Sequence, residues 1–369
     1  MKPIVLLSIL TVFYHSLSGQ DNAAYSFLVA GHTYGAAGVD NIGLHPPFKD
    51  KFEYIQGRPE IQFGIFTGDI VSSNPTAEDW DEVDVDIAAL GLPIYFAVGN
   101  HDMEDRPLFE DRYGDTYFHF LHEGDLFIIL DPNIDGWNIS GEQLVFLENT
   151  LLSNQDVVSN IYVFFHQVLW KTDDNIYSNI TPNSITGQSE TVNFWPTIMP
   201  LFTSLSNHTM FFAGDLGAAS WSTDFSYDSF DNIELIGSGM GEFNGENFVV
   251  INVGEDKSID HDLICLNGDE LECFGELTDY QVTPLGLVRS TQNLILIYPN
   301  PTKDKLYING LKENMSMALY DTLGRVVSQK EISPGSNSID LQNFQSGLYN
   351  FILIDFAGNI YSRQKIVKS

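Results

Sequence analysis

The chain has 369 residues, enough for one large domain and a small one. Hydrophobic residues make up 43% and aromatic residues 13%, which supplies a core. Asp and Glu number 50 against 17 Lys and Arg, a formal charge of −33; this excludes a nucleic-acid binder, whose phosphate contacts need cationic surface, and suits a soluble extracellular protein.

Residues 1–19 carry Lys2, an apolar run over 4–13 and then the small residues Ser16, Ser18 and Gly19. This pattern predicts a secretory signal peptide, because the run is too short to cross a membrane. No Cys follows it, which argues against a lipid anchor there, and no other segment is long and apolar enough to be a transmembrane segment. The next elements are a strand over 25–30, the Gly-rich turn Gly31-His32-Thr33-Tyr34-Gly35, a loop through Gly43-Leu44-His45-Pro46-Pro47-Phe48 and a strand over 63–67. A helix is predicted over 78–90, its acidic run 78–86 forming a solvated face rather than a calcium loop, which needs a central Gly. Strands over 94–98 and 125–130 follow, the second ending in Asp131. Ser140-Gly141-Glu142-Gln143 opens an amphipathic helix with Leu144, Leu147, Leu151 and Leu152 on its apolar side. A strand over 161–165, a helix over 194–205 and a strand over 209–213 come next, then short strands over 233–236, 248–253 and 262–266. Strand–helix alternation that ends in hairpins indicates an α/β layered sandwich over 20–283.

The two cysteines, Cys265 and Cys273, flank a hairpin signal, and export favours a disulfide between them over two buried thiols. Residues 284–293 have the character of a linker. Residues 294–369 contain short strands at regular spacing, with turns at Pro299-Asn300-Pro301, Thr322-Leu323-Gly324, Pro334-Gly335 and Ala357-Gly358-Asn359, and no His. They form an all-β sandwich module without a catalytic cluster.

Three apolar strands each end in metal-ligating residue types. The first ends in Gly68-Asp69, the second in Gly99-Asn100-His101-Asp102 and the third in His166. A parallel sheet gathers ligands at its strands' carboxyl ends in this way. His119, His122, His208 and His261 lack such a context and are expected on the surface or satisfied in the core; Asp131 is placed to brace the loops.

These motifs resemble those of the calcineurin-like metallophosphoesterases, which include the purple acid phosphatases. Gly68-Asp69 matches the family's second motif, Gly99-Asn100-His101-Asp102 its third, and Phe165-His166-Gln167-Val168-Leu169-Trp170 is similar to its fourth. The helix opening at Gly141-Glu142-Gln143 resembles the one the family carries between motifs three and four. The resemblance covers roughly 24–255 and implies a four-layer αββα sandwich. Two motifs depart from the pattern. The first, normally Gly-Asp-x-His-Gly, is Gly31-His32-Thr33-Tyr34-Gly35, and the last, normally Gly-His-x-His, is Gly214-Asp215-Leu216-Gly217. One metal position of the family therefore falls on His32, Tyr34 and Gly217 and has lost its usual ligands. The other falls on Asp69, Asn100, His166 and Asp215, all able to bind through oxygen or nitrogen. The resemblance implies a divalent ion, Mn, Fe or Zn, in one or two copies. It makes Asp69 the bridging ligand and His101 the group that stabilises the transferring phosphoryl or protonates the leaving oxygen, oriented by Asp102. Asn100 would also contact the phosphate of an ester substrate. His32 has two readings: a neutral nitrogen ligand replacing the missing Asp, or a filler hydrogen-bonded to Asp69 or Asp215. Tyr34 is a weaker candidate, as ligand or as substrate contact, and His45 is either loop structure or a lining of the substrate cleft. An exported metal-dependent phosphoesterase is one reading of the whole. A catalytically inactive binding protein in the old cleft is the other.

The C-terminal module resembles the sorting domain of the type IX secretion system. Tyr298-Pro299-Asn300-Pro301, Leu319-Tyr320-Asp321-Thr322-Leu323-Gly324-Arg325, Ser346-Gly347-Leu348-Tyr349 and the ending Lys365-Ile366-Val367-Lys368 carry that resemblance. It implies a passage across the outer membrane by the type IX secretion machinery.

Overall fold

The computed structural model describes residues 23–36, 42–241, 245–267, 277–282, 296–311, 314–321, 325–354 and 360–369. The signal peptide expected over 1–19 and the linker expected over 284–293 lie outside these residues, as does most of the hairpin between the cysteines; Cys265 is disulfide-bonded.

The larger unit runs β1 (Tyr25–Ala30), α1 (Pro46–Lys49), α2 (Phe52–Gln56), β2 (Ile61–Phe66), α3 (Ala77–Leu90), β3 (Ile94–Phe96), α4 (Arg106–Tyr113), β4 (Phe118–His122) and β5 (Asp125–Ile129). It continues through α5 (Gly141–Asn154), β6 (Asn160–Phe165), α6 (Met199–Thr203), β7 (His208–Ala213), β8 (Phe225–Phe230), β9 (Ile233–Ser238), β10 (Asn247–Val253) and β11 (Ile259–Cys265). One sheet has the order β11-β10-β1-β2-β3 and the other β4-β5-β6-β7-β9-β8. The central strands of each are parallel, and the antiparallel strands lie toward the edges. Parallel strands covered on both faces need near-continuous apolar runs, which Tyr25–Ala30 and Asn160–Phe165 supply.

Side chains alternate along each strand and so feed three separate cores. Phe27 and Val29 meet Phe127, Tyr162, Phe212 and Val249 between the two sheets. Leu28 and Phe66 face the other way, onto Phe48, Trp80 and Phe109 of the helices. On the far side Val163, Phe165 and Phe211 pack on Leu147, Leu151 and Phe202. Three apolar cores between four layers of structure make the αββα sandwich. Each such buried aromatic or branched side chain contributes about 1.5–3 kcal/mol by leaving water.

Local signals fix the element ends. The Thr76 N–H donates to Asp79 Oδ2 at 2.7 Å in a capping box that starts α3, and Gly91, at φ 76°, ends it in the left-handed region. The acidic face of α3 is partly tied down: Asp81 and Asp84 hold Arg112, and Asp86 holds Lys49. Two expectations need correction. Leu152 is 71% exposed on α5, and Gln143 and Thr150 are buried in its stead. The helix expected over 194–205 splits into a π turn, Phe194–Ile198, and the short α6. Pro200 has no N–H to donate, and Met199 N–H instead reaches back five residues to Phe194 O.

The C-terminal unit is all β. β12 (Leu296–Tyr298), β13 (Lys305–Leu311) and β16 (Gly335–Asp340) form one sheet; β14 (Met315–Tyr320), β15 (Val326–Ile332), β17 (Gly347–Ile354) and β18 (Ile360–Lys368) form the other. Leu306 and Ile308 of the first meet Met317, Leu319, Phe351 and Leu353 of the second, which is a β-sandwich core.

Candidate metal centre

The carboxyl ends of β1, β2, β6 and β7 come together at one end of the sandwich. Main-chain hydrogen bonds stitch these ends together. His32 N–H donates to Gly68 O at 3.0 Å, Tyr34 N–H to Asp69 O at 3.2 Å, and Gly214 and Asp215 N–H to His166 O at 2.9 and 3.0 Å. His166 Nδ1 lies 2.8 Å from Thr67 O, so a strand end of one sheet orients the imidazole of the other. Gly214 has to be glycine, because a Cβ would run into Thr67 O. His32 and Asp69 sit at φ 55° and 48°, left-handed conformations that cost about 1–3 kcal/mol each in a residue with a side chain. Both are held there by the hydrogen bonds just named.

Asp69 lies at the middle of this convergence. Its Oδ2 is 3.3 Å from His166 Nε2, 3.6 Å from His32 Nε2 and 3.8 Å from His101 Nε2, and its Oδ1 accepts from His101 N–H at 3.1 Å. Asp215 Oδ1 lies 3.7 Å from His166 Nε2. Ligand atoms of Asp69, His166 and Asp215 all fall within 4.8 Å of one another, the one such group among the described residues. All three residues are buried.

The electrostatics follow from that burial. Burial alone would raise Asp69, but the His166 imidazole, with His101 and His32 beyond it, holds it well below the usual carboxylate range. Burial would lower His166, but Asp69 and Asp215 raise it to about 10. Burial, with Asp69 adding to it against His166, pushes Asp215 up to about 8. Burial takes His32 down to about 4 despite Asp69, so this imidazole is neutral. Burial and the nearby carboxylates raise the Tyr34 phenol, which stays protonated.

A cation suits this group. His166 Nδ1 is committed to Thr67 O, and its Nε2 and both Asp215 oxygens are buried without a well-formed hydrogen bond. Buried polar atoms without partners are costly. Two carboxylate side chains and one imidazole converging in this way make a donor set for a borderline divalent ion. The Asn100 amide stands between Gly99 and His101, both against Asp69, and is half-buried.

The other sequence candidates take different places. Asp102 does not touch the His101 ring. It is wholly buried, and its carboxylate accepts from Ile70 N–H at 2.8 Å, Val71 N–H at 3.2 Å and Gly99 N–H at 2.7 Å, clipping two loops together. Burial and Asp69 push it up to about 6 against those donors. The ring is held instead by Ser73 Oγ, 2.7 Å from His101 Nδ1, and by Glu104 Oε1, 3.2 Å away. Neither was singled out from sequence; the His101–Glu104 spacing of three residues was the available signal. His45 is not in a cleft. It is 5% exposed and its Nε2 lies 2.9 Å from Glu246 Oε1, behind the first-motif loop. Tyr34 is buried with its ring 4.4 Å from that of His32 and 5.6 Å from that of His101. Asp131 braces the loops: it accepts from Arg106 and from Asn133, which in turn bonds Val98 O and Gln167. His208 and His261 share Glu234 at 2.8 and 3.1 Å, His122 packs edge-on to Tyr25, and His119 lies over Phe146.

Comparison with known proteins agrees with this geometry. Residues 32–198 match the family model of the calcineurin-like phosphoesterases. Residues 296–369 match the secretion system C-terminal sorting domain, which indicates secretion or display at the cell surface. No curated protein matches the chain. Among solved structures, a putative 5'-nucleotidase from Staphylococcus aureus is 14% identical over 67% of this chain and 55% of its own, with a TM-score of 0.44. TT1561 of Thermus thermophilus is 7% identical over 65% of this chain and 99% of its own, at 0.37. PorZ, a surface component of the type IX secretion system of Porphyromonas gingivalis, is 21% identical over 20% of this chain and 11% of its own, at 0.18. The chain thus spans about half the length of the nucleotidase and about a tenth of PorZ. No helix among the described residues is long and apolar enough to cross a membrane.

Proposed function

We propose that the protein is an exported, metal-dependent phosphoester hydrolase working from a single-ion site. The observation that carries this reading is the buried Asp69–His166–Asp215 group, its His166 Nε2 and Asp215 oxygens unpartnered, beside a histidine that reaches solvent. Asp69, His166 and Asp215 would hold the ion, with Asn100 as the amide ligand. The ion is Mn, Fe or Zn, which the mixed oxygen and nitrogen donors accept. A second ion has little to bind. The positions on the other side of Asp69 offer one nitrogen donor, the neutral His32, beside the protonated Tyr34 and Gly217, which has no side chain. His32 stands there as a neutral imidazole, its Nε2 3.6 Å from Asp69 Oδ2.

A bound divalent ion supplies a Lewis acid, which lowers the pKa of nearby water and draws charge from the phosphoryl oxygens. The rest is the chain's own work. Asn100 is placed to meet a phosphoryl oxygen through its amide. Of the three histidines around Asp69, His101 alone is open, its side chain 22% exposed against 2% for His32 and 0% for His166. Ser73 and Glu104 fix its Nδ1, leaving Nε2 to face the reacting group. Water attacks phosphorus and gives up a proton to solvent, the bond from phosphorus to the ester oxygen breaks, and that oxygen takes the proton from His101 Nε2, which solvent then restores. The products are phosphate and an alcohol from a monoester, or a monoester and an alcohol from a diester.

The test is turnover of p-nitrophenyl phosphate and of its bis-ester with Mn²⁺, Fe²⁺ or Zn²⁺ supplied, in the wild type and in Asp69→Ala. Metal-dependent release of nitrophenol, lost in the variant, supports the reading. Stoichiometric metal with no turnover of either ester points to a binding protein in the same cleft.

A further inference from the structure

Three loops rim the metal centre on the side of the second sheet, and main-chain hydrogen bonds lock them to one another. The turn after β5 is anchored beside the site, where Asn133 bonds both Val98 O and Gln167. Ser189 N–H donates to Gly136 O at 3.0 Å, joining that turn to the segment 181–189. That segment lies over Asp215: Asn183 N–H donates to Asp215 O at 2.9 Å, and the Ser184 N–H helps to lower the Asp215 carboxyl. It also holds the loop after β7, through Ala218 N–H to Asn183 Oδ1 and Thr223 N–H to Thr181 O, both at 2.9 Å.

Each of the three loops turns one large apolar side chain outward. Ile134 is 49% exposed, Ile185 62% and Trp221 60%. Single exposed apolar residues are ordinary on a protein surface. These three differ in standing on interlocked loops around one site, two of which carry no charge; on the third, the exposed Asp135 beside Ile134 accepts from Ser140 Oγ. Neither 181–189 nor 216–223 contains a single Asp, Glu, Lys or Arg, in a chain that is 18% charged. The cations on neighbouring segments are engaged, Arg106 by Asp131 and Lys171 by Asp173. The rim therefore offers nothing to a second phosphate or a carboxylate, and the net charge of −33 repels polyanions. Its offer is apolar surface and an indole face.

We propose that Trp221 and Ile185, with Ile134 beside them, form the leaving-group subsite, and that the substrate is a phosphate ester of an aromatic or aliphatic alcohol. This rests on the hydrolase reading for the position of the phosphate. The phosphoryl group would sit at Asp69 and Asp215, and the apolar alcohol would lie across the rim, losing water on Trp221.

The experiment compares kcat/KM for 1-naphthyl phosphate and glycerol 2-phosphate on the metal-loaded protein, in the wild type, Trp221→Ala, Trp221→Phe and the remote surface variant Leu152→Ser. Naphthol is the better leaving group, so the quantity that matters is the change in the ratio between proteins. The naphthyl preference is expected to fall about tenfold in Trp221→Ala, the scale of losing some 50 Å² of apolar contact, and to return in Trp221→Phe. Leu152→Ser should leave the ratio alone. A ratio unchanged in Trp221→Ala, with turnover intact, overturns the subsite and leaves the hydrolase standing. If no ester is turned over, calorimetric binding of 1-naphthyl phosphonate decides. A Kd raised about tenfold by Trp221→Ala keeps the subsite without the enzyme, and equal binding by both proteins, or none, removes it.

Discussion

The two ends of the sandwich treat buried charge in opposite ways. At the amino end of the strands, Asp125 is wholly buried and fully served: Tyr25 OH donates at 2.8 Å, Lys257 Nζ at 3.1 Å and Asn160 N–H at 2.9 Å. Glu234, in the same sheet, is intermediate: His208 and His261 approach to 2.8 and 3.1 Å, but its Oε2 and both ring nitrogens lack a well-formed hydrogen bond. At the carboxyl end, Asp69 and Asp215 share one buried imidazole, and both Asp215 oxygens go without a well-formed donor. The same fold satisfies Asp125 at one end and leaves Asp215 short at the other. Stability alone would not retain the second arrangement, since buried unpaired carboxylates are costly. The difference separates groups that hold the fold together from groups kept for a ligand.

The strongest way to sharpen that contrast is to remove one charge from the satisfied end. Asp125→Ala leaves Lys257, whose side chain is 9% exposed, without its buried partner, and leaves two further donors idle. We expect a loss of about 3–5 kcal/mol in urea unfolding, with metal stoichiometry unchanged in the fraction that folds. At the other end, His101→Ala should cost about 10²–10³ in kcat while metal content stays at the wild-type value, because the ring lies 3.8 Å from Asp69 and orders nothing that the ion needs. Metal lost together with activity would move His101 from acid to ligand.

A smaller effect separates the ends by pH. His166 is raised to about 10 and Asp215 to about 8, so the folded apo protein keeps protons there that the unfolded chain has released. Stability from the His166 proton is complete below the unfolded pKa of about 6.5 and is lost as pH rises through about 10. The protonated Asp215 adds a loss in the same direction from about pH 4 to about 8. Apo protein should therefore weaken from pH 6 to pH 9 by roughly 1 kcal/mol per pH unit for each group still titrating. A bound ion replaces the protons and reverses the slope, because binding releases them. Thermal melts of apo and metal-loaded protein at both pH values measure this, and parallel slopes would mean that the cluster does not exchange protons for metal.

The sequence was most legible where one residue type has one use. The buried strands announce themselves as apolar runs, and their ends carry Asp69, Asn100, His101 and His166 in order, so the convergence of three strand ends was visible before the fold. The helices α1, α2 and α4 were not, since four to eight residues hold too little of a 3.6 period to stand out. Side-chain partners were harder still. Asp102 is next to His101 in sequence, yet it points at the main chain of the 69–71 loop, while the partners of the ring come from Ser73 on another loop and Glu104 one turn on. His45 was open between loop structure and a lining of the cleft; the structure buries it on Glu246, which lies 201 residues away and has no local signature.

The smallest effect bears on that reassignment. If Glu104 and Ser73 hold the His101 ring, weakening them should lower turnover without touching substrate or metal affinity. Glu104 also accepts from Asn74 N–H at 2.6 Å, which ties the Ser73 loop to the helical turn after His101, so its carboxylate both orients the ring and positions the other partner. In Glu104→Gln an amide keeps much of the shape and loses the negative charge that holds Nδ1. We expect about a tenfold drop in kcat with KM within twofold, and a similar but smaller drop in Ser73→Ala, whose hydroxyl is neutral. The double variant should fall no further than about the larger single effect, because both groups act through one nitrogen. Independent losses that multiply would mean that the two residues do separate jobs and that the ring is oriented by something else. An Asp102→Asn variant distinguishes the two arrangements. Its carboxylate holds Ile70, Val71 and Gly99 N–H groups and no ring atom, so its loss should appear first as a lower Tm.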